Sequence, residues 1–259
     1  MFKKVFKTCI VATAMMLSAI GLSGFSMCDP CDFCGTMPLT GECRPGCTAY
    51  FNCLMMCPLI IDLDNDGFSF GGPENIVAFD LLLNGKPQRT QWVAPEQDDA
   101  FLVLDLNQNG VVDGGAEMFG TGTVILANGS YAVNGFEGLA QYDLKAQGGN
   151  GDGRITEADQ VWKRLGLWLD ANANGISEAY EVAPIESFLI EGLSLGSEEK
   201  QHYDQYGNWL RYFGHVDFKD EAQTQAANGR LLDVFFLKDH QTQAKSTVAD
   251  QHSHVKMDD

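Results

Sequence analysis

The stretch Gly149–Glu181, GNGDGRITEADQVWKRLGLWLDANANGISEAYE, is the one on which the fold turns. Two clusters of short oxygen-bearing side chains flank an apolar middle. In that middle Val161, Leu165 and Trp168 recur at intervals of four and three, the spacing of one face of an amphipathic helix. The sequence therefore predicts a helix over Glu157–Ala171. At its end DANANGISEAYE sets Asp170, Asn172 and Asn174 at alternate positions, then Gly175, with Glu178 and Glu181 beyond. A hard cation takes six to eight oxygens, and the chain must wrap around it within one turn. That demands oxygens at positions 1, 3 and 5, a glycine at 6, a backbone carbonyl at 7 (here Ile176) and an acid near 12. A helix leading into such a loop is the arrangement of an EF-hand, and calcium is the ion it suits.

The pattern returns elsewhere. DLNQNGVVDGGAE supplies Asp105, Asn107, Asn109, Gly110, the Val111 carbonyl and Asp113, with Glu117 standing one place beyond position 12. In DLKAQGGNGDGRITEAD, Asn150, Asp152, Gly153, the Arg154 carbonyl, Thr156 and Asp159 fit positions 3, 5, 6, 7, 9 and 12. Position 1 falls on Gly148, which has no side chain. Asp143 can serve instead if Leu144–Gly149 bulges out. PLIIDLDNDGFSFGG gives Asp62, Asp64, Asp66 and Gly67, then Pro73 at position 12 and Glu74 at 13. FDLLLNGKPQ shows the frame decayed, because Leu82 cannot ligate a metal, and it reads as a hairpin turn.

Outward from these loops, PLIIDLD, NIVAFDLLL, AFLVLDL and RLLDVFFL are short runs rich in β-branched and aromatic residues, hence strands. GFEGLAQYDLKA has helical spacing in Phe136, Leu139 and Tyr142. The expected class is α+β: short strands and hairpins with a few helices around EF-hand-like loops, in one module over residues 58–240. Residues 241–259 lack periodicity and read as a disordered acidic tail.

Before the module, residues 1–26 have the basic start (Lys3, Lys4, Lys7), short apolar run and small-residue end of an export signal. Residues 27–57 pack Cys28, Cys31, Cys34, Cys43, Cys47, Cys53 and Cys57 together, and none follows. In an exported chain this cysteine-rich segment reads as a disulfide framework. A zinc or iron–sulfur role for the Cys-x-x-Cys-x-x-Cys opening and lipidation of Cys28 are the alternatives. The chain is thus expected to be secreted, periplasmic or on the cell surface. No later run of 18 apolar residues exists, so the mature chain is expected to have no membrane span. With 17 Lys+Arg against 35 Asp+Glu, its surface repels nucleic acid.

Taken in order, PLIIDLDNDG, WVAPEQDDAFLVLDLNQNGVVDGGAEMFG, NGFEGLAQYD, the Gly149–Glu181 stretch and DQYGNWLRYFGHV resemble the calcium-dependent self-processing module of iron-regulated RTX proteins. The resemblance implies an exported module folded around Ca2+. In self-processing members calcium triggers cleavage of an Asp-Pro bond before the first strand, and the new aspartyl end can acylate a lysine. Here that pair falls on Cys57-Pro58, and a thiol cannot form the required anhydride. The leading expectation is therefore an exported, non-enzymatic calcium-binding protein with a protein partner at the surface or outside. Calcium-triggered self-processing is the alternative. The Gly-x-Ser-x-Gly match at Ser194 is followed by only 65 residues, too few for a hydrolase fold.

Overall fold

The computed structural model describes residues 55–81, 85–120, 126, 129, 132–219 and 230–237. The signal, the cysteines before Cys57, Leu82, Leu83, Asn84 and the tail lie outside the described residues; Gly85, in the expected hairpin turn, has φ 71° and donates its N–H to Asp80 at 2.8 Å. The described residues form eleven strands: β1 (Met55–Met56), β2 (Leu59–Ile61), β3 (Ile76–Phe79), β4 (Gln88–Gln91), β5 (Ala100–Leu104), β6 (Arg154–Thr156), β7 (Leu165–Trp168), β8 (Val182–Pro184), β9 (Ile190–Tyr203), β10 (Trp209–Phe218) and β11 (Leu231–Leu237). The α-helix among the described residues is α1, Gly135–Ala140. Strands β3 and β4 form a separate hairpin. The others build one antiparallel sheet in the order β6-β9-β10-β11-β2-β5-β7-β8, with β1 added against β11.

This is a mostly β architecture, and the expected α+β class with EF-hand helices does not hold. The stretch Glu157–Ala171 shows why. Only a 3-10 turn forms, at Trp162–Arg164, and the chain then runs straight into β7. Leu165, Gly166, Leu167 and Trp168 pair with β5 on one side, the last three also with β8 on the other, and all four are buried. A strand covered on both faces reads as a continuous apolar run, so Leu165 and Trp168 stand three apart without a helix, while Val161 precedes the 3-10 turn. Gly166 lowers helix propensity and admits the neighbouring strand, since a Cβ there would lie 3.3 Å from the Ala183 carbonyl. The second expected helix is also cut short. Asn134 caps α1 by accepting the Glu137 N–H at 2.7 Å, and 3-10 turns follow at Gln141–Asp143 and Lys145–Gln147.

Strand alternation sorts the core onto the two faces of the sheet. Leu59, Ile61, Leu102, Leu104, Leu165 and Leu167 join Phe136 and Leu139 of α1 in one cluster. Ile60, Phe101, Val103, Trp168, Leu232, Val234 and Phe236 form the other with Val77 and Phe79 of the hairpin and Trp92. In that second cluster Trp92 lies 4.6 Å from Phe101 and 5.8 Å from Trp168, centroid to centroid. The register Ile61↔Ala100 and Phe101↔Trp168 brings together the end of β2, the start of β5 and the end of β7. The loops at Asp62 and Asp170 therefore leave the same end of the sheet, on either side of the chain entering β5.

Candidate metal centres

Four loops follow one backbone path. At position 6, Gly67, Gly110, Gly153 and Gly175 have φ of 102°, 84°, 84° and 71°. At position 4, Asn65, Gln108, Gly151 and Ala173 also have positive φ, 69°, 62°, 78° and 51°. Non-glycine residues rarely enter this left-handed region, so its recurrence at one offset marks a repeated turn. In each loop the first acid accepts the N–H of position 6: Asp62 from Gly67 at 3.2 Å, Asp105 from Gly110 at 2.8 Å, Asp143 from Gly153 at 2.9 Å and Asp170 from Gly175 at 2.8 Å. The side-chain oxygen at position 3 accepts the N–H of position 5, as in Asp64–Asp66, Asn107–Asn109, Asn150–Asp152 and Asn172–Asn174, at 2.9–3.0 Å. These bonds gather the oxygens of each loop on its inner side.

The Asp170 loop is anchored in the aromatic core. Asp170, 2% exposed, accepts the Trp92 indole N–H at 2.7 Å, and Trp168 donates to Glu181 at 3.2 Å. Burial pushes the Asp170 carboxyl above the usual range, against the hydrogen bonds from Gly175, Trp92 and Asn174. Burial, then the neighbouring Glu178 carboxyl, does the same for Glu181. Asn172 and Asn174 reach Glu181 and Glu178 at 3.4 and 3.1 Å, and Ile176 donates its N–H to Asn174 at 2.6 Å. Glu178 Oε2 is buried without a hydrogen-bond donor among the described residues.

In the loop around Asn150, Asp143 stands at the first position. It accepts three backbone N–H groups, from Gly151 at 2.8 Å, Asp152 at 3.2 Å and Gly153 at 2.9 Å. The intervening residues form a bulge so tight that a Cβ on Gly149 would sit 2.1 Å from the Asp143 carbonyl carbon. Asp159 closes the loop by accepting from Asn150 at 3.1 Å and Thr156 at 2.8 Å, while Arg154 donates its N–H to Asp152 at 2.9 Å. The Asp105 loop closes differently. Asp113 accepts from the amides of Asn107 and Asn109 at 2.6 and 2.8 Å, and Val111 donates its N–H to Asn109 at 3.0 Å. Glu117, 4% exposed, reaches back to the N–H groups of Leu106 and Asp113, both at 2.9 Å.

The loop at Asp62, Asp64 and Asp66 has Pro73 at position 12 and an exposed Glu74 at position 13, and two acids that the loop pattern does not contain stand beside it. The Asp64 N–H donates to Asp98 at 2.5 Å, and Asp99 lies buried beside it at 3% exposure. Oxygens of Asp62, Asp64, Asp66 and Asp98 all fall within 4.8 Å of one another. The nearby Asp64 charge raises Asp66, and burial raises Asp98 and pushes Asp99 up to about 8. The visible signal is Asp98-Asp99, two adjacent acids entering the wholly apolar strand AFLVL. Trp92 and Trp168 donate to two acids of the Asp170 loop, a role that nothing in their sequence neighbourhood marks.

Cys57, where the resemblance places a scissile aspartate, is 3% exposed, packs with Trp209 and Phe235, and hydrogen-bonds Asp233. Ser194 lies inside β9 opposite Arg154, not at a strand-to-helix turn. No helix among the described residues is long and apolar enough to cross a membrane.

Comparison with known proteins places this geometry in a family. Residues 59–233 match the family model described as SPM domain. Over 177 residues the chain is 38% identical to Iron-regulated protein FrpA of Neisseria meningitidis serogroup C, an alignment covering 68% of this chain. It covers 15% of that relative, which is a much longer protein. With more than half its length matched, the chain belongs to the SPM domain family.

Proposed function

We propose that this chain is an exported calcium-binding protein whose SPM domain is stabilised by several Ca2+ ions and serves interaction at the cell surface or outside. The observation that carries the reading is the fourfold recurrence of one turn, with left-handed residues at positions 4 and 6 and inward oxygens at 1, 3 and 5. The donors are carboxylates and Asn amides, the all-oxygen set that calcium prefers. In the Asp170 loop Glu178 Oε2 is a buried acceptor for which a cation would supply the missing partner. The residues that would hold the ions are Asp170, Asn172, Asn174, Ile176 through its carbonyl, Glu178 and Glu181; Asp105, Asn107, Asn109, Val111, Asp113 and Glu117; Asp143, Asn150, Asp152, Arg154, Thr156 and Asp159; and Asp62, Asp64 and Asp66.

An ion in such a loop neutralises acids that otherwise repel one another, and binding energy becomes folding energy. Each site filled at a hundred times its dissociation constant adds about 2.7 kcal/mol of stability. Export rests on the basic and apolar start of residues 1–26. Thermal denaturation of the mature chain, in chelator and in millimolar calcium, tests the reading. A rise of at least about 10 °C with calcium supports it, and an unchanged melting temperature overturns it.

A further inference from the structure

We propose that the cleft between residues 68–70 and the tip of the β9–β10 hairpin is a binding site for an arginine side chain of a partner protein. The proposal supplies a partner chemistry for the interaction role given above, and it rests on that part of the reading and not on the metal loops.

The cleft holds about 370 Å3, within the range of preformed ligand sites. Its walls come from three segments far apart in the chain. A bridge between Phe70 and Val93, and the Ala94 N–H donated to the Ser69 carbonyl at 3.0 Å, join the first two. The third is the turn at residues 204–207, where Gly207 has φ of 91°. Gln91 donates across 115 positions to the Tyr206 carbonyl at 3.1 Å and pins that turn in place. A Cβ on Gly72 would lie 2.8 Å from Tyr206 Cε1, so the tyrosine ring rests against this glycine. Phe70 packs edge-on against Phe236, at 5.6 Å between centroids. The aromatic lining of Phe68, Phe70 and Tyr206 is thus held by the fold itself.

Charge decides what such a lining would take. Asp204 also lines the cleft, and its carboxylate accepts the N–H groups of Tyr206 and Asn208 and the Asn208 side-chain amide, each at 2.8 Å. Those donors are neutral, so they leave its charge uncompensated. Glu74 stands beside Tyr206, because the same Cβ on Gly72 would lie 2.7 Å from its carboxylate. Neither acid has an ion-pair partner among the described residues, and no Lys, Arg or His lines the cleft. On a chain of formal net charge −18, this field draws a cation.

The rest of the lining selects the kind of cation. Ser69, Gln97 and Gln205 line the cleft together with the rings, and none of their side chains is hydrogen-bonded within the described residues. They offer acceptors to a ligand rich in N–H groups. A quaternary ammonium has no such group, and an alkylammonium presents three on a strongly hydrated point charge. A guanidinium presents five in one plane, sheds water more readily and stacks on aromatic faces. Rings, amide carbonyls and a carboxylate in one cleft match that set of demands.

The test is an NMR titration of the 15N-labelled full chain with the end-blocked peptide Gly-Arg-Gly, with its lysine and citrulline analogues and with free arginine, in calcium and in chelator. The expected result is a saturable shift of the Ser69, Gln97, Gln205 and Tyr206 amide signals with the arginine peptide. Citrulline keeps the shape and loses the charge, and should bind at least about fivefold more weakly. Gln205→Lys, at an exposed position, should abolish binding, and Tyr206→Ala should weaken it by at least about fivefold. No saturable shift at these amides, equal binding of the citrulline or lysine peptide, or undiminished binding by Gln205→Lys overturns the proposal. Tighter binding of free arginine than of the blocked peptide overturns the protein partner in favour of a small molecule. Failure of the peptide in a chain whose melting temperature rises with calcium overturns the cleft alone. Peptide binding by a chain whose melting temperature ignores calcium upholds the cleft and overturns the calcium reading.

Discussion

Replacing Asp143 by alanine removes the one side chain that organises the longest loop. The Asp143 carboxylate accepts three backbone N–H groups at 2.8, 3.2 and 2.9 Å, from Gly151, Asp152 and Gly153. Asp143 itself is only 7% exposed. At about 1 kcal/mol of net stability per bond, the loss is about 3 kcal/mol. For a domain of this size each kcal/mol moves the melting temperature by about 2–4 °C, so Asp143→Ala should melt about 6–12 °C lower in chelator. In calcium the gap should widen, because the variant also forfeits the linkage of one site, about 2.7 kcal/mol at a hundred times the dissociation constant. Scanning calorimetry of the full chain in both conditions measures both quantities. A variant melting within about 2 °C of wild type in each would refute the role given to Asp143.

Three further outcomes are expected. Calcium should change tryptophan emission, because Trp92 and Trp168 donate to Asp170 and Glu181; the response should vanish in Asp170→Ala, and its persistence there would disconnect the indoles from the loop. Gly149→Ala should resemble Asp143→Ala, since its Cβ would lie 2.1 Å from the Asp143 carbonyl carbon, and a variant as stable as wild type in a melting assay would disprove the tight bulge. Burial holds the Asp233 carboxyl well above the usual carboxylate range despite its bonds from Gly135 and Cys57. The folded chain therefore keeps this proton to higher pH than the unfolded chain, so its contribution to stability is full below about pH 4 and falls as pH rises toward the folded value. Asp233→Asn cannot ionise, so its melting temperature relative to wild type should climb from pH 4 to pH 8; a constant difference across that range would contradict the assignment.

The loops were legible because their requirements are local. An oxygen at every second position and a glycine at the sixth are written consecutively, and even the displaced Asp143 is signalled by Gly148-Gly149. The strands at Leu59, Ala100 and Leu231 were legible from their β-branched and aromatic runs. The helix over Glu157–Ala171 was a misreading of burial. Leu165 and Leu167 face one core cluster and Trp168 the other, and periodicity cannot distinguish a fully enclosed strand from one face of a helix. Asp98 and Asp99 were illegible for a different reason. Their meaning lies in the pairing of Ile61 with Ala100 and in a bond between residues 34 positions apart, neither of which any window of sequence contains. The indole of Trp92 meets Asp170 across 78 positions, and a core tryptophan looks the same whether or not it holds a loop.

If the repeated loops take up calcium, the domain is more stable for it. Calorimetric titration of the chelated, full-length mature chain with calcium, followed by the same titration with magnesium, addresses it most directly. The expected result is saturable binding of several calcium ions, up to one for each of the four loops, with magnesium unable to reproduce it. A chain that takes up no calcium at millimolar concentration, with no heat and no change in melting temperature, would contradict it.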